Sequence, residues 1–366
     1  RDIEIIVIDK EDHQAFHARL YELVAEALPR RAVRLSHRQI LGHTSVRLIQ
    51  DRVLKIDPIK QVVKLHSYGQ LRYDYLVVAL GAQNNFRSIP GAQEFSLPLQ
   101  SVGQAMQIRD QLQTLYKRQA EVKVAIVGGG LTGVELAAAL AHYEPALRDH
   151  FSRDQHRFEI NLIEAGPQIL NGLQEKTRRF VTGWLNHHQV QLFLGSPIKQ
   201  VKSQQLVLAS GQILDYDCLI WAAGFKGLEL LQKSGFETDP TGRVIVNAKL
   251  QAKGFARIFV AGDAAHYAVT HNNCLPMSAT HAIYQGSCIA HNIAAAIHHQ
   301  SLIKYDIQRF PIILPLGERT GILEWGRWQL KGRSALRIKL VLEFCYLASY
   351  LPLGLAWRLC FVSRHR

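Results

Sequence analysis

Residues 128–133 read Gly128-Gly129-Gly130-Leu131-Thr132-Gly133, the pattern G-x-G-x-x-G. The apolar run Val122 to Val127 stands directly before it. Leu131 to Tyr143, small, apolar and free of helix breakers, follows directly after. A strand, a glycine turn and a helix at this spacing constrain the fold more than any other feature. Gly128 permits the tight turn, Gly130 lets backbone approach a pyrophosphate, and Gly133 lets helix and strand pack closely. The helix start then offers free N–H groups and the positive end of its dipole to phosphate. The implied ligand is a dinucleotide on a parallel α/β sheet.

Other runs repeat the plan. Ile3 to Ile8 reads as a buried strand ending at Asp9, and Val77 to Leu80 as one stopped by Gly81. Glu159 to Ile163 ends at Glu164, Cys218 to Ala223 at Gly224, and Ile258 to Ala261 at Gly262-Asp263. Pro276 to Ile297 reads as a long helix with a Pro start. Strands alternating with helices predict a parallel sheet with ligands at the carboxyl ends of its strands. Two units share one order, a strand closed by an acid and later a strand closed by Ala-x-Gly. Asp9 and Gly81 belong to the first, Glu164 and Gly224 to the second. Two dinucleotide sites would produce that doubling.

Glu164 is expected to bond ribose hydroxyls and repel a 2′-phosphate, favouring NADH over NADPH. It lies beyond the usual gap of about 20 residues. The polar stretch Glu144 to Arg157 reads as the surface insertion that lengthens it. Asp9 follows the same logic without a glycine loop. The chain opens inside a strand and without Met, so it reads as a fragment whose N-terminal Gly-rich loop is missing.

Length and charge narrow the functions. The 366 residues fit two domains or two nucleotide modules plus an appendage. The net charge of +13 admits nucleic acid, an anionic membrane or an acidic partner. No nucleic-acid module is legible, so no nucleic-acid partner is expected. The cysteines (Cys218, Cys274, Cys288, Cys345, Cys360) form no C-x-x-C and no zinc spacing. That pattern points to a reducing compartment and away from dithiol chemistry. The doublets His187-His188 and His298-His299 lack matching ligands and read as surface residues, so no metal is expected.

Taken together, the motifs resemble those of FAD-dependent pyridine-nucleotide oxidoreductases, and within them type II NADH dehydrogenase, the single-chain NADH:quinone reductase. The pieces that carry the resemblance are Val7-Ile8-Asp9, Leu20 to Val24, Tyr73 to Gly81, Ile89-Pro90-Gly91, Val127 to Leu136 and Phe259 to Asp263. The resemblance implies that Asp9 meets the FAD ribose, Ala79 to Gly81 line the FAD site, and Gly262-Asp263 hold its ribityl-phosphate portion. It implies NADH at Gly128, Gly130, Gly133 and Glu164, with Glu135 helping to position the nicotinamide. It places the quinone beside the helix Ala279-Thr280-His281-Ala282-Ile283-Tyr284-Gln285-Gly286. Two family glutamines are replaced there, by Thr280 and Tyr284. Tyr284 is the expected donor and stacking surface, His281 a proton-donor candidate, and Thr280 and Gln285 complete the quinone-site candidates.

From Glu324 onward the chain is basic, with Arg327, Lys331, Arg333, Arg337, Lys339, Arg358, Arg364 and Arg366 against Glu324 and Glu343. Leu336, Leu340, Phe344, Leu347 and Leu351 make a stripe at helical spacing. Trp325, Trp328, Tyr346, Tyr350 and Trp357 suit a membrane interface. The tail is expected to lie in the plane of a membrane. Packing on the core or in a homodimer interface is the alternative.

The expected fold is α/β with two Rossmann-type dinucleotide-binding domains. FAD is assigned to residues 1–115 and 250–323, NADH to 116–249, and a membrane-associating tail to 324–366. The expected activity passes hydride from NADH to flavin and two electrons to a membrane quinone without proton pumping. The protein would sit peripherally on the cytoplasmic or equivalent reducing face. A soluble NADH-dependent flavin reductase with another acceptor, or an NADH-binding redox sensor, is the alternative.

Overall fold

The structure, a computed structural model, describes residues 3–152, 155–270 and 273–361. Two compact units divide the chain. The first comprises residues 1–12, 41–83 and 225–310; the second comprises 13–40, 84–224 and 311–366.

The second unit is built on a five-stranded parallel sheet. Its order is Leu97–Pro98, Cys218–Trp221, Glu121–Val127, Arg157–Ile163, Gln191–Phe193. Val122, Val124 and Ile126 are fully buried, and Ala125 and Val127 on the opposite face are buried too. A strand covered on both faces has no solvent side to mark with polar residues, so it reads as a continuous apolar run. The helix Val102–Arg118 starts at a capping box, Ser101 with Gln104.

The helix after the glycine loop runs Leu131–Phe151, past the expected end at Tyr143 and through Pro145. Glu144 to Phe151 therefore continue the helix, largely at the surface, and Arg157 opens the next strand; Arg153 and Asp154 lie outside the described residues. Proline removes one backbone hydrogen bond and crowds the preceding turn. Leu147 is nevertheless buried in the core, and Arg148 pairs with Glu144 at 2.9 Å across the proline. Core burial offsets the local cost, and the longer helix accounts for the extra distance to Glu164.

In the first unit, Leu76–Val78 pairs in parallel with Ile258–Val260, with Val78 opposite Val260. Ile6–Asp9 pairs in parallel with Arg47–Gln50. Phe259 and Leu250, both fully buried, lie at the centre of this unit's core. The long helix runs Ala279–Ile297, not from Pro276. Ser278 caps it, its Oγ accepting from His281 N–H at 3.2 Å. A serine side chain satisfies a helix-start donor; a proline only tolerates the position.

The C-terminal part of the second unit begins earlier than Glu324. Ile312–Leu316, Thr320–Trp325 and Trp328–Lys331 form an antiparallel sheet, so Glu324 lies inside a strand. The helices Arg333–Ala348 and Leu353–Cys360 follow. The leucine stripe turns inward. Leu347 and Leu351 are buried with Phe16 and Leu35, and Leu336 packs over Gly321. The exposed apolar residues are others: Ile338, Val341 and Leu342, then Leu353, Trp357 and Phe361, with Trp325, Trp328 and Leu330 on the sheet. A 3.6-residue period identifies an apolar face but not what covers it. Among the described residues no helix is long and apolar enough to cross a membrane. Arg364 and Arg366 lie outside the described residues.

Candidate functional site

The glycine loop of the second unit is held by contacts that leave no room for side chains at two positions. Gly128 has φ +112°, and a Cβ there would lie 2.6 Å from the Ala222 carbonyl oxygen. A Cβ on Gly133 would lie 1.9 Å from the Gly128 carbonyl oxygen. A Cβ on Gly130 would meet nothing within 4 Å, so that face of the loop is open. No side chain caps the helix start at Gly130. An open glycine face beside an uncapped helix N-terminus is the cradle a pyrophosphate needs.

Glu164 sits directly on this loop. Its Oε2 accepts from Gly129 N–H and its Oε1 from Gly166 N–H, both at 2.7 Å. The carboxylate therefore shapes the loop as well as presenting negative charge beside it. Gly224, at φ +99°, follows the neighbouring strand, and its carbonyl accepts from Asn85 N–H at 3.0 Å. Val127 pairs with Trp221, so the turns at Gly128 and Gly224 leave the same end of the sheet.

Glu135 lies two residues beyond Gly133. Burial, reinforced by the negative charges of Glu22 and Glu343, pushes its carboxyl up to about 8 against the pull of Lys339. It holds its proton at neutral pH. The surrounding groups form an ionic cluster. Lys339 pairs with Glu343 and with Glu22, the latter at 3.5 Å, and Arg19 pairs with Glu22 at 3.1 Å. Burial opposes ionisation of Glu22, yet Lys339 and Arg19 outweigh it and hold this carboxyl down at about 2. Sequence reasoning missed this cluster. The i,i+4 pair Lys339–Glu343 was legible in the tail, but Arg19 and Glu22 come from the other end of the chain.

In the first unit, the parallel pairing of Val78 with Val260 brings Ala79 to Gly81 beside Ala261 to Asp263. The Val78 carbonyl accepts from Ala261 N–H at 3.0 Å. Gly81 and Gly262 are both left-handed, φ +70° and +66°. Asp263 lies in the turn Gly262–Ala264. Val77 and Leu80 are exposed apolar side chains at this sheet end. Asp9 closes the strand Ile6–Asp9, its Oδ1 accepting from Glu11 N–H at 2.9 Å. Left-handed glycines, an acid in the turn and apolar surface at strand ends fit a dinucleotide with a flat ring system.

Helix geometry sorts the four residues expected at the quinone. His281 and Gln285, one turn apart, point inward. Gln285 is 3% exposed, and its Oε1 accepts from Gly262 N–H at 2.7 Å. It therefore holds the Gly262 turn. His281 is buried, with Nδ1 3.1 Å from Tyr305 Oη, and burial lowers its pKa. It is a packed side chain, held between its Tyr305 contact and the helix. Thr280 and Tyr284 share the other face, Thr280 half-buried and Tyr284 47% exposed. A cavity bordered by Arg243, Ser278, His281 and Gln285 measures about 10 Å³, room for about one water and not for a quinone ring. Arg243 anchors the approach to this helix. It donates to Asp239 Oδ2 at 2.9 Å, to Cys274 Sγ at 3.0 Å and to the Leu275 carbonyl at 3.4 Å.

Parallel strands ending in glycine turns, with Glu164 on one turn and Asp263 in another, define a dinucleotide-binding α/β class of protein. The chain belongs to the pyridine nucleotide-disulphide oxidoreductase family, whose sequence profile matches residues 1–286. It is 27% identical to a demethylphylloquinone reductase, NdbB, of Synechocystis, over 97% of this chain and 88% of that protein. It is 25% identical to a type II NADH:quinone oxidoreductase of Staphylococcus aureus, over 98% and 91%. Among solved structures, NDH2 of Plasmodium falciparum in complex with NADH has the same fold, with a TM-score of 0.84 at 16% identity, over 98% and 92%.

Proposed function

We propose that this chain is an NADH:quinone oxidoreductase of the type II, non-pumping kind. The observation that carries the reading is the pair of strand-end sites, one in each unit. The named relatives at 25–27% identity support it over nearly the whole chain. NADH binds at Gly128, Gly130 and Gly133, with Glu164 and Gly224 at the same sheet end. The Glu164 carboxylate disfavours a 2′-phosphate and so selects NADH. FAD binds in the first unit, at Asp9, Ala79, Gly81, Gly262 and Asp263. When bound, it supplies the two-electron relay that no side chain offers.

This chain's own residues bind, orient and hold protons. The loop aligns the dinucleotide, and Glu135 keeps a proton beside it at neutral pH. Gln285 sets the Gly262 turn. Tyr284, with Thr280 on its face, offers the acceptor a ring surface and a hydroxyl donor. The net change is NADH + H⁺ + quinone to NAD⁺ + quinol. The tail docks the enzyme peripherally on a membrane, where quinones reside. Supporting that are the exposed Trp328, Leu353 and Trp357 among the basic residues Arg327, Lys331, Arg333 and Arg358.

The test is anaerobic. The full-length flavoprotein is reduced with NADH, quinones are added, and flavin absorbance is followed. Bleaching by NADH and recovery with a quinone are expected. Bleaching with no recovery for any benzoquinone or naphthoquinone moves the reading to another acceptor or a sensor.

A further inference from the structure

The loop Asn85 to Ser88, in the second unit, holds a backbone that its own residue types resist. Arg87 and Ser88 are both left-handed, at φ +51° and +55°. Two consecutive residues with a Cβ are strained in this region, and glycine would hold the turn without that cost. Backbone strain of this kind points to a use for the side chain it carries. The loop is firmly seated all the same. Trp221 Nε1 donates to the Asn85 carbonyl at 2.9 Å, Asn85 Oδ1 accepts from Arg87 N–H at 2.9 Å, and Phe86 packs on the Trp221 ring. These contacts deliver Arg87 to the end of the strand Cys218–Trp221. Its Nε donates to the Ala223 carbonyl at 3.3 Å, and its Nη2 stands 3.7 Å from where a Cβ on Gly224 would lie. One donor thus fixes the guanidinium over the Gly224 turn. Its Nη groups meet no acceptor, and no carboxylate pairs with them, among the described residues.

We propose that Arg87 is a nucleotide-binding residue whose guanidinium takes the phosphate on the nicotinamide side of the NADH pyrophosphate. The proposal rests on the reading of this sheet end as the NADH site, and it adds to that site a residue from outside the glycine motif. Strand order sets the direction. Arg157–Ile163 and Cys218–Trp221 flank Glu121–Val127 on opposite sides. Glu164, after the first of these, marks the adenosine half, and the glycine loop takes the phosphates in the middle. The other half of the dinucleotide then crosses toward Gly224, where Arg87 stands. Neighbouring strands lie about 4.8 Å apart, a step that two linked phosphates can span. A guanidinium offers paired N–H groups that match two phosphate oxygens, and its charge strengthens both bonds. The same strand order argues against a 2′-phosphate as the ligand. An arginine for that group belongs beside the adenosine ribose, on the Glu164 strand, two strands over from Arg87.

The test measures binding rather than turnover, by calorimetric titration of the full-length FAD-loaded protein. ADP-ribose carries both phosphates and cannot reduce the flavin; 5′-AMP carries the adenosine-side phosphate alone. Arg87→Gln is expected to weaken ADP-ribose roughly tenfold, the low end for a charge-assisted bond because the group is exposed. Its affinity for 5′-AMP should stay that of the parent. Arg87→Lys keeps the charge without the paired donors and should fall between. Arg87→Gly suits the left-handed backbone, so its fold is kept and the same loss of ADP-ribose affinity is expected. ADP-ribose bound equally by the parent, Arg87→Gln and Arg87→Gly overturns the proposal. So does a loss shared equally by ADP-ribose and 5′-AMP, which would mean a disturbed loop and not a lost phosphate contact. A parent protein that binds neither ligand is a different failure, that of the NADH-site reading itself, and it takes this proposal with it.

Discussion

At the residue scale, Glu135 makes the sharpest pH statement. Its ordinary value is 4.5, and burial raises it to about 8. A carboxyl whose folded pKa is raised contributes stability that is full below the unfolded value and lost as pH rises through the folded one. Chemical denaturation of Glu135→Gln at pH 5, 7 and 9 is therefore expected to show the variant gaining on the parent as pH rises. The difference should reach on the order of a few kcal/mol by pH 9. Parallel profiles would show that Glu135 is ionised in the fold. Glu22 behaves oppositely. Held near 2, it contributes stability that is present above the ordinary carboxylate value and lost only as pH falls through about 2. Gly133→Ala is a steric statement. With its Cβ 1.9 Å from the Gly128 carbonyl oxygen, the loop and helix must separate. A loss of NADH binding of at least tenfold is expected by titration, because the phosphate cradle depends on that close approach.

At the scale of elements, strand and glycine positions were legible, and helix ends were less so. Val122 to Val127 announced itself because burial on both faces demands apolar residues throughout. The helix from Leu131 ran eight residues beyond its expected end, because Leu147 is held in place by a core assembled from distant segments. The start at Ser278 rather than Pro276 was decided by one side-chain acceptor. Ser278→Ala is expected to cost about 1 kcal/mol in thermal or chemical unfolding, typical of a lost N-cap. It should also loosen His281. Glu324 is a similar device formed at long range. Its carboxylate accepts from Gln174 N–H at 3.1 Å, at the start of the helix Glu175–His187. No local pattern predicts a cap supplied from 150 residues away.

At the scale of the whole molecule, the tail carries the prediction. Its leucine stripe packs on the protein's own core, so the proposed membrane docking rests on Trp325, Trp328, Leu353 and Trp357 with the nearby cations. Flotation with vesicles containing anionic phosphatidylserine is expected to capture the protein, more weakly at high salt, where charge attraction is screened. Trp328→Ser with Leu353→Ser should reduce capture severalfold, since buried apolar area sets interfacial binding. Capture unaffected by both changes, together with a concentration-dependent dimer in solution, would assign this face to a second copy of the chain.

The sequence alone determined what local chemistry dictates. A glycine loop between an apolar strand and a breaker-free helix has few physical uses, and the acids and Ala-x-Gly endings repeated its logic. Gly128 and Gly133 are legible because the backbone there leaves no room for a Cβ, and the acids because a strand end next to a glycine turn is where a carboxylate meets backbone N–H groups. Tertiary structure alone decided what depends on a distant partner. It turned Gln285 and His281 inward and left Tyr284 outward on Phe310. It gathered Arg19, Glu22, Lys339 and Glu343 around Glu135, and it turned the tail's leucines toward the core. Burial and ion pairing are properties of surfaces brought together by folding, and a chain read in order carries the residues but not the meeting.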